Sequence, residues 1–148
     1  MRTGLIVGLH ILLQNKGKIL LMRRANTGFR DGFLGLPSGH LEPMEKPSFG
    51  IAREVKEELS IVIRPSAIRC VHIMHDRSNS DRIAMFFDCD GWEGNVTNSE
   101  PHKCSELMWE SADSLPNDTI AYVAAAIECI SRGISYSEFC SENEVRTF

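Results

Sequence analysis

The sequence has no Cys-x-x-Cys pair, no long apolar run and no surplus of basic charge, and each absence removes a class of protein. Its five cysteines, Cys70, Cys89, Cys104, Cys129 and Cys140, are odd in number and widely spaced. Such a set does not read as a disulfide framework. Reduced, mostly buried thiols in a cytosolic protein are the expectation. His102-Lys103-Cys104 is the one close His/Cys grouping, and nothing nearby completes a zinc quartet. No apolar stretch approaches the roughly 18 residues that a membrane helix needs. The first residues lack a charged-then-apolar leader with a small-residue cleavage site. Together these point to the cytoplasm, with no membrane partner. Sixteen Lys and Arg against 20 Asp and Glu give a formal charge of −4. That excludes the basic face that duplex nucleic acid requires. It leaves small anionic substrates open, because a bound cation inverts the local field. No repeat, linker or low-complexity tract is present.

What is there suits one globular domain spanning 1–148. Apolar residues make up 43% and charged residues 24%, ordinary for a packed core with a solvated surface. Leu5 to Leu13 carries apolar side chains at both parities, so it reads as a strand covered on both faces. His10 within it reads as a satisfied core or edge histidine. Asn15-Lys16-Gly17 marks a turn, and Lys18 to Arg23 reads as the returning strand of a hairpin. The polar loop 26–32 leads to Phe33–Leu36 and then to the corner Pro37-Ser38-Gly39-His40. Pro and Gly there let backbone carbonyls approach a ligand closely. Residues 61–63 read as a short strand. Ile68 to His75 and Arg82 to Asp90 read as two more, with Phe86 and Phe87 in the core and His72 and His75 at solvated strand ends. Trp92 to Cys104 is a long polar segment of the kind that often carries function. Leu107 to Trp109 is a short strand. A helix from about Thr119 to Ser131 follows, with Asn117 or Asp118 as N-cap and Gly133 as its stop. The tail 136–148 packs only through Tyr136 and Phe139.

The informative stretch is Gly39 to Ile61. A helix starting near Pro47 carries Glu54, Glu57 and Glu58 at i, i+3 and i+4, which puts them on one face. Like charges so placed repel. Beside a Gly-rich corner they suit a hard divalent cation such as Mg2+, which takes oxygen ligands and keeps substrate phosphates in its shell. Phe49, Ile51, Ala52, Val55 and Leu59 form the apolar stripe turned to the sheet. Gly39 is followed after five residues by Glu45, then after seven by Arg53-Glu54, an apolar Val55, Glu57-Glu58 and Ile61. The six polar or Gly positions among these coincide by chance on the order of once in 10^7 starts.

This pattern resembles the signature box of the Nudix hydrolases, G-x5-E-x7-R-E-U-x-E-E-x-G-U with U apolar. One position departs: the box's last Gly is Ser60. The Gly that often precedes its first Glu is Met44. Ser60 must then take the left-handed turn at some cost, or the helix must end differently. The resemblance implies a Nudix α/β/α sandwich, a mixed β-sheet between helices. It also implies roles for residues. Glu54, Glu57 and Glu58 would bind the metal, Mg2+ with Mn2+ as alternative, joined by the Ser38 carbonyl. Arg53 would pair with Glu45 and orient the carboxylates. In MutT-like members an Arg-Arg pair lies beside the substrate phosphates. Strand alternation sends Arg23 and Arg24 to opposite faces and favours Arg23. Gly39 and His40 would lie against the substrate. Glu100, eight residues after Trp92, matches a Glu that reaches the metal waters in those enzymes; its other reading is a surface acid. Asn117 or Asp118 would meet the base edge if not used as a cap.

The resemblance thus implies a pyrophosphohydrolase acting on a nucleoside triphosphate or related nucleoside diphosphate derivative. The triphosphate would give nucleoside monophosphate and pyrophosphate. The general base is one of the box carboxylates or Glu100. Two alternatives stand beside this: an ADP-ribose or dinucleotide pyrophosphohydrolase, and a nucleotide-binding sensor without catalysis. The protein is expected as a monomer or homodimer.

Overall fold

The computed structural model describes residues 4–141 and 144–148. The first strand, β1 (Ile6–Leu12), is buried on both faces, as its apolar parities predict. At Leu13 the chain leaves one sheet for another. Only β2 (Gln14–Asn15) forms a hairpin with β3 (Lys18–Arg24), so the hairpin expected from Leu5–Leu13 is made instead by the two residues that follow that run. The rest of β1 pairs elsewhere. The apolar run is long enough to serve two sheets, and alternation alone does not show where it bends.

Two short strands follow, β4 (Leu34–Gly35) and β5 (Ser38–His40), then helix α1 (Pro47–Leu59). The strands β6 (Ile68–Asp76), β7 (Arg82–Cys89) and β8 (Cys104–Ser111) precede helix α2 (Ala121–Ser131), and β9 (Tyr136–Ser141) and β10 (Glu144–Thr147) close the chain. The larger sheet runs β10-β9-β6-β7-β1-β5 and is mixed: β1 lies parallel to β7 and β6 parallel to β9. In the smaller sheet β3 pairs with β2, β4 and β8.

Each helix covers one core. Ile51, Val55 and Leu59 of α1 pack with Leu9, Ile11 and Phe87 on one face of the large sheet. Val123, Ala126 and Ile127 of α2 pack with Met74, Ala84 and Phe86 on the other. This is the α/β sandwich expected from the sequence.

Several local expectations need correction. Residues 61–63 form no strand but a single bridge, Val62 to Glu93. Phe49 lies off the core and is exposed, while Gly50 takes the buried place. The strand expected at Leu107–Trp109 is the middle of a longer one, because the whole length of β3 offers it partners. Helix α2 has Ile120 at its N-cap without a side-chain bond, so neither Asn117 nor Asp118 caps it. His72 is not a solvated strand end: it is buried, and its ring nitrogens meet the Ile134 carbonyl and the Ser137 hydroxyl, both at 2.8 Å. The polar tail forms two strands, since β6 offers it an open edge and backbone bonding needs no apolar pattern. Ser60 does take the left-handed conformation (φ 57, ψ 32), donating its N–H to the Lys56 carbonyl. Met44 likewise stands at φ 64.

Candidate active site

The site is built on the free edge of β5. The Ile11 N–H donates to the Pro37 carbonyl at 3.1 Å and the Leu41 N–H to the Val7 carbonyl at 2.9 Å. In an antiparallel pair only alternate residues exchange such bonds. The register Leu9↔Gly39 therefore spends the Gly39 groups on β1. Ser38 and His40 turn their N–H and C=O groups outward, toward α1. The Arg53 guanidinium donates to the His40 carbonyl at 3.2 Å, and the Ser38 N–H bonds the Glu58 carboxyl.

Gly39 explains how the helix comes so near. A Cβ there would land inside the Glu54 carboxyl group. Gly50 plays the same part beneath Glu45, where a Cβ would stand 2.7 Å from both Glu45 Oε1 and Leu9 Cδ1. Arg53 grips Glu45 with two bonds, 2.8 and 3.0 Å, and donates to Glu54 at 2.7 Å. Glu57, one turn on, lies 3.7 Å from the same guanidinium. The planar fork of Arg suits this task, where a Lys point charge would not. The bonds from Arg53 hold Glu45 below the usual carboxylate range.

Two carboxyls resist ionisation. Burial, more than the neighbouring charges, pushes Glu54 up despite its Arg53 bond. Burial first, and the Glu54 charge second, push Glu58 up to about 8. Among the described residues no three His, Cys, Asp or Glu side chains are already gathered on one point that would hold a metal. The donor chemistry nonetheless fits one. The set is all oxygen, and a divalent cation would relieve the cost of two crowded, partly buried carboxylates.

These groups line a cleft of about 770 Å³. Ser38, Gly39, His40, Arg53, Glu54, Glu57, Glu58 and Glu100 all stand on its wall, so one surface gathers the box residues and the distant Glu100. Lys103 lies 3.5 Å from Glu100. Both members of the Arg-Arg pair reach the cleft, but in different condition. Arg23 is tied to Glu106 at 2.9 Å and Asp118 at 2.6 Å. Arg24 rests on neutral oxygens, the Phe29 carbonyl at 2.7 Å and Thr27 Oγ1 at 3.2 Å. Asn117 and Asp118 are not on the cleft wall; Asp118 is engaged by Arg23.

Two residues of the cleft carry no motif in the sequence. Arg82 lines the cleft from the start of β7, and its buried Nε has no hydrogen-bond partner. His10 lines it too, and its buried Nδ1 is equally unpaired, which corrects the expectation of a satisfied histidine. Burial, followed by nearby cationic side chains, lowers the His10 pKa to about 3. A polar residue inside an apolar strand was the one available signal.

Comparison with known proteins bears on the family and the fold. The family model of the NUDIX domain matches residues 4–127. No curated protein matches the chain by sequence. The crystal structure of a MutT protein from Methanosarcina mazei Go1 is similar at TM-score 0.76 and 26% identity, covering 89% of this chain and 96% of that one. A MutT NUDIX hydrolase from Burkholderia pseudomallei is similar at TM-score 0.76 and 23% identity, covering 85% and 98%. The solution structure of the E. coli ORF135 protein is similar at TM-score 0.71 and 23% identity, covering 86% and 89%. With the family model spanning most of its length and the box carboxylates assembled on one cleft, this chain belongs to the Nudix family of hydrolases, which act on phosphoric anhydrides.

Proposed function

We propose that this protein hydrolyses a diphosphate bond in a nucleoside triphosphate or a related nucleoside diphosphate derivative. A triphosphate yields nucleoside monophosphate and pyrophosphate. The observation that carries this reading is the pair of partly buried carboxyls, Glu54 and Glu58, set against the outward-facing backbone of β5.

Glu54, Glu57, Glu58 and the Ser38 carbonyl would hold Mg2+ or Mn2+, with Glu100 across the cleft. When bound, the ion supplies charge neutralisation for the polyphosphate and acidifies a water. The protein's own groups do the rest. Arg53 fixes the Glu54 carboxylate and braces it against Glu45. Arg24, resting on neutral oxygens, brings positive charge to the cleft for the phosphates. Arg23 is largely neutralised by its two acidic partners and serves to tie β3 to β8 and to Asp118, so Arg24 has the stronger claim to the clamp. The general base is one of the box carboxylates or Glu100; a carboxylate is intrinsically a weak base, and an acidified water would lower the demand on it. All five cysteines are free, which suits a reducing cytoplasm, and no described helix is long and apolar enough to cross a membrane.

The test is product release from a nucleotide panel with Mg2+, run beside Glu57→Gln. The expected result is pyrophosphate from at least one triphosphate and loss of that activity in the variant. Equal rates for the two proteins reject the site.

A further inference from the structure

Strand register places a row of residues on the α2 side of the large sheet. Arg82 stands opposite Ile6, Ala84 opposite Gly8 and Phe86 opposite His10. Alternation puts all six on one face. Gly8 has no side chain, so the row has a gap between His10 and Arg82. A Cβ in that gap would stand 3.3 Å from His10 Nε2. Gly8, His10 and Arg82 all line the inner part of the cleft, with Tyr122 and Phe29.

The walls of the gap are aromatic. The His10 ring stacks on Phe86 at 4.7 Å and 14°, and meets Tyr122 edge-on at 5.7 Å. The Arg82 guanidinium lies 5.3 Å from the Phe29 ring centre. Two polar atoms in this lining are buried and unpaired, His10 Nδ1 and Arg82 Nε. His10 itself is only 6% exposed. Buried unpaired groups are costly and rare, and two on one cleft wall ask for an absent partner. A phosphate would suit the place poorly, since it takes many donors and strong positive charge. Aromatic walls with a few fixed donors suit a planar heterocycle. Arg82 Nη2 already donates to the Ser80 hydroxyl at 3.0 Å, which leaves the unpaired Nε to meet an acceptor on a base edge.

We propose that His10 and Arg82 form a nucleobase subsite, reading a ring carbonyl and its neighbouring acceptor in the gap above Gly8. This rests on the cleft being a nucleotide site. It makes His10 and Arg82 the residues that set base preference, while α1 and Arg24 hold the phosphates.

Binding separates this proposal from the hydrolysis reading. In a Glu57→Gln background, calorimetry measures four nucleoside triphosphates and inorganic tripolyphosphate. The expected result is one preferred base, bound more tightly than tripolyphosphate. His10→Phe keeps the stack on Phe86 and removes both ring nitrogens. It should weaken the preferred nucleotide about tenfold and compress the base ranking, leave tripolyphosphate unchanged, and melt no lower than the parent. Arg82→Gln should show the same split and serves if His10→Phe folds poorly. An unchanged base ranking in both variants overturns the subsite. Equal weakening of tripolyphosphate also overturns it, in favour of a phosphate site. Base-selective binding lost in the variants, from a wild type that releases no pyrophosphate, would sink the hydrolysis reading and keep the subsite.

Discussion

Replacing Glu58 with Gln should abolish activity and yet stabilise the protein stripped of divalent ions. The carboxyl is pushed from an ordinary 4.5 to about 8 by burial and the Glu54 charge. The folded state therefore keeps its proton over a pH range where the unfolded chain has lost it. Stability falls as pH rises from about 4.5 and levels off above about 8. At pH 7.5, three units above the ordinary value at ~1.4 kcal/mol per unit, ionisable Glu58 costs about 4 kcal/mol. Structural relaxation and water entry trim such penalties, so about 2 kcal/mol is a conservative figure. For a chain of this length that corresponds to roughly 4–8 °C in melting temperature. Gln is neutral at every pH and keeps an acceptor for the Ser38 N–H. Melting curves in a chelator, taken across this window, should show the variant level with wild type at the acid end and several degrees above it at pH 7.5. Adding Mg2+ should raise wild type more than the variant, by about 2.7 kcal/mol at a hundredfold excess over the dissociation constant if the variant binds none. A difference independent of pH, or a variant less stable throughout, would refute the reasoning.

Other perturbations give sharper local readings. Arg53→Lys removes the two-pronged grip on Glu45 and the bond to Glu54, and should lower kcat/KM roughly 10- to 100-fold with little change in fold by circular dichroism. Gly39→Ala drives a methyl into the Glu54 carboxyl and should cost about 1–3 kcal/mol in chemical denaturation, along with metal affinity by titration. Ser60→Gly restores the residue that a left-handed helix end favours, and should raise stability by about 0.5–1 kcal/mol after loss of the Ser60–Ser99 hydroxyl contact; no gain in denaturant midpoint would contradict it.

The box was legible because its chemistry is local. Glu54, Glu57 and Glu58 share a helix face by periodicity alone, and Arg53 reaches Glu45 across eight residues. The outward turn of Ser38 and His40 was legible only through the family resemblance, since it follows from which parity of β5 bonds to β1. The gap above Gly8 needed the parallel register of β1 and β7, which no local pattern encodes. His72 was misplaced for the same reason: its partners Ile134 and Ser137 arrive from the far end of the chain. The strands of the tail stayed hidden because only Ser137 and Phe139 within them are fully buried. Their order is set by the open edge of β6 rather than by their own composition.

Because β5 presents main-chain atoms to α1, the side chains of Ser38 and His40 are spectators to those contacts. An alanine scan would pass over Ser38 in silence. Proline at the same position would strip the N–H from Glu58 and be lethal to the site. Tolerance at this strand thus measures what the backbone must do, and a mutational survey confined to side-chain deletion would leave a working surface blank.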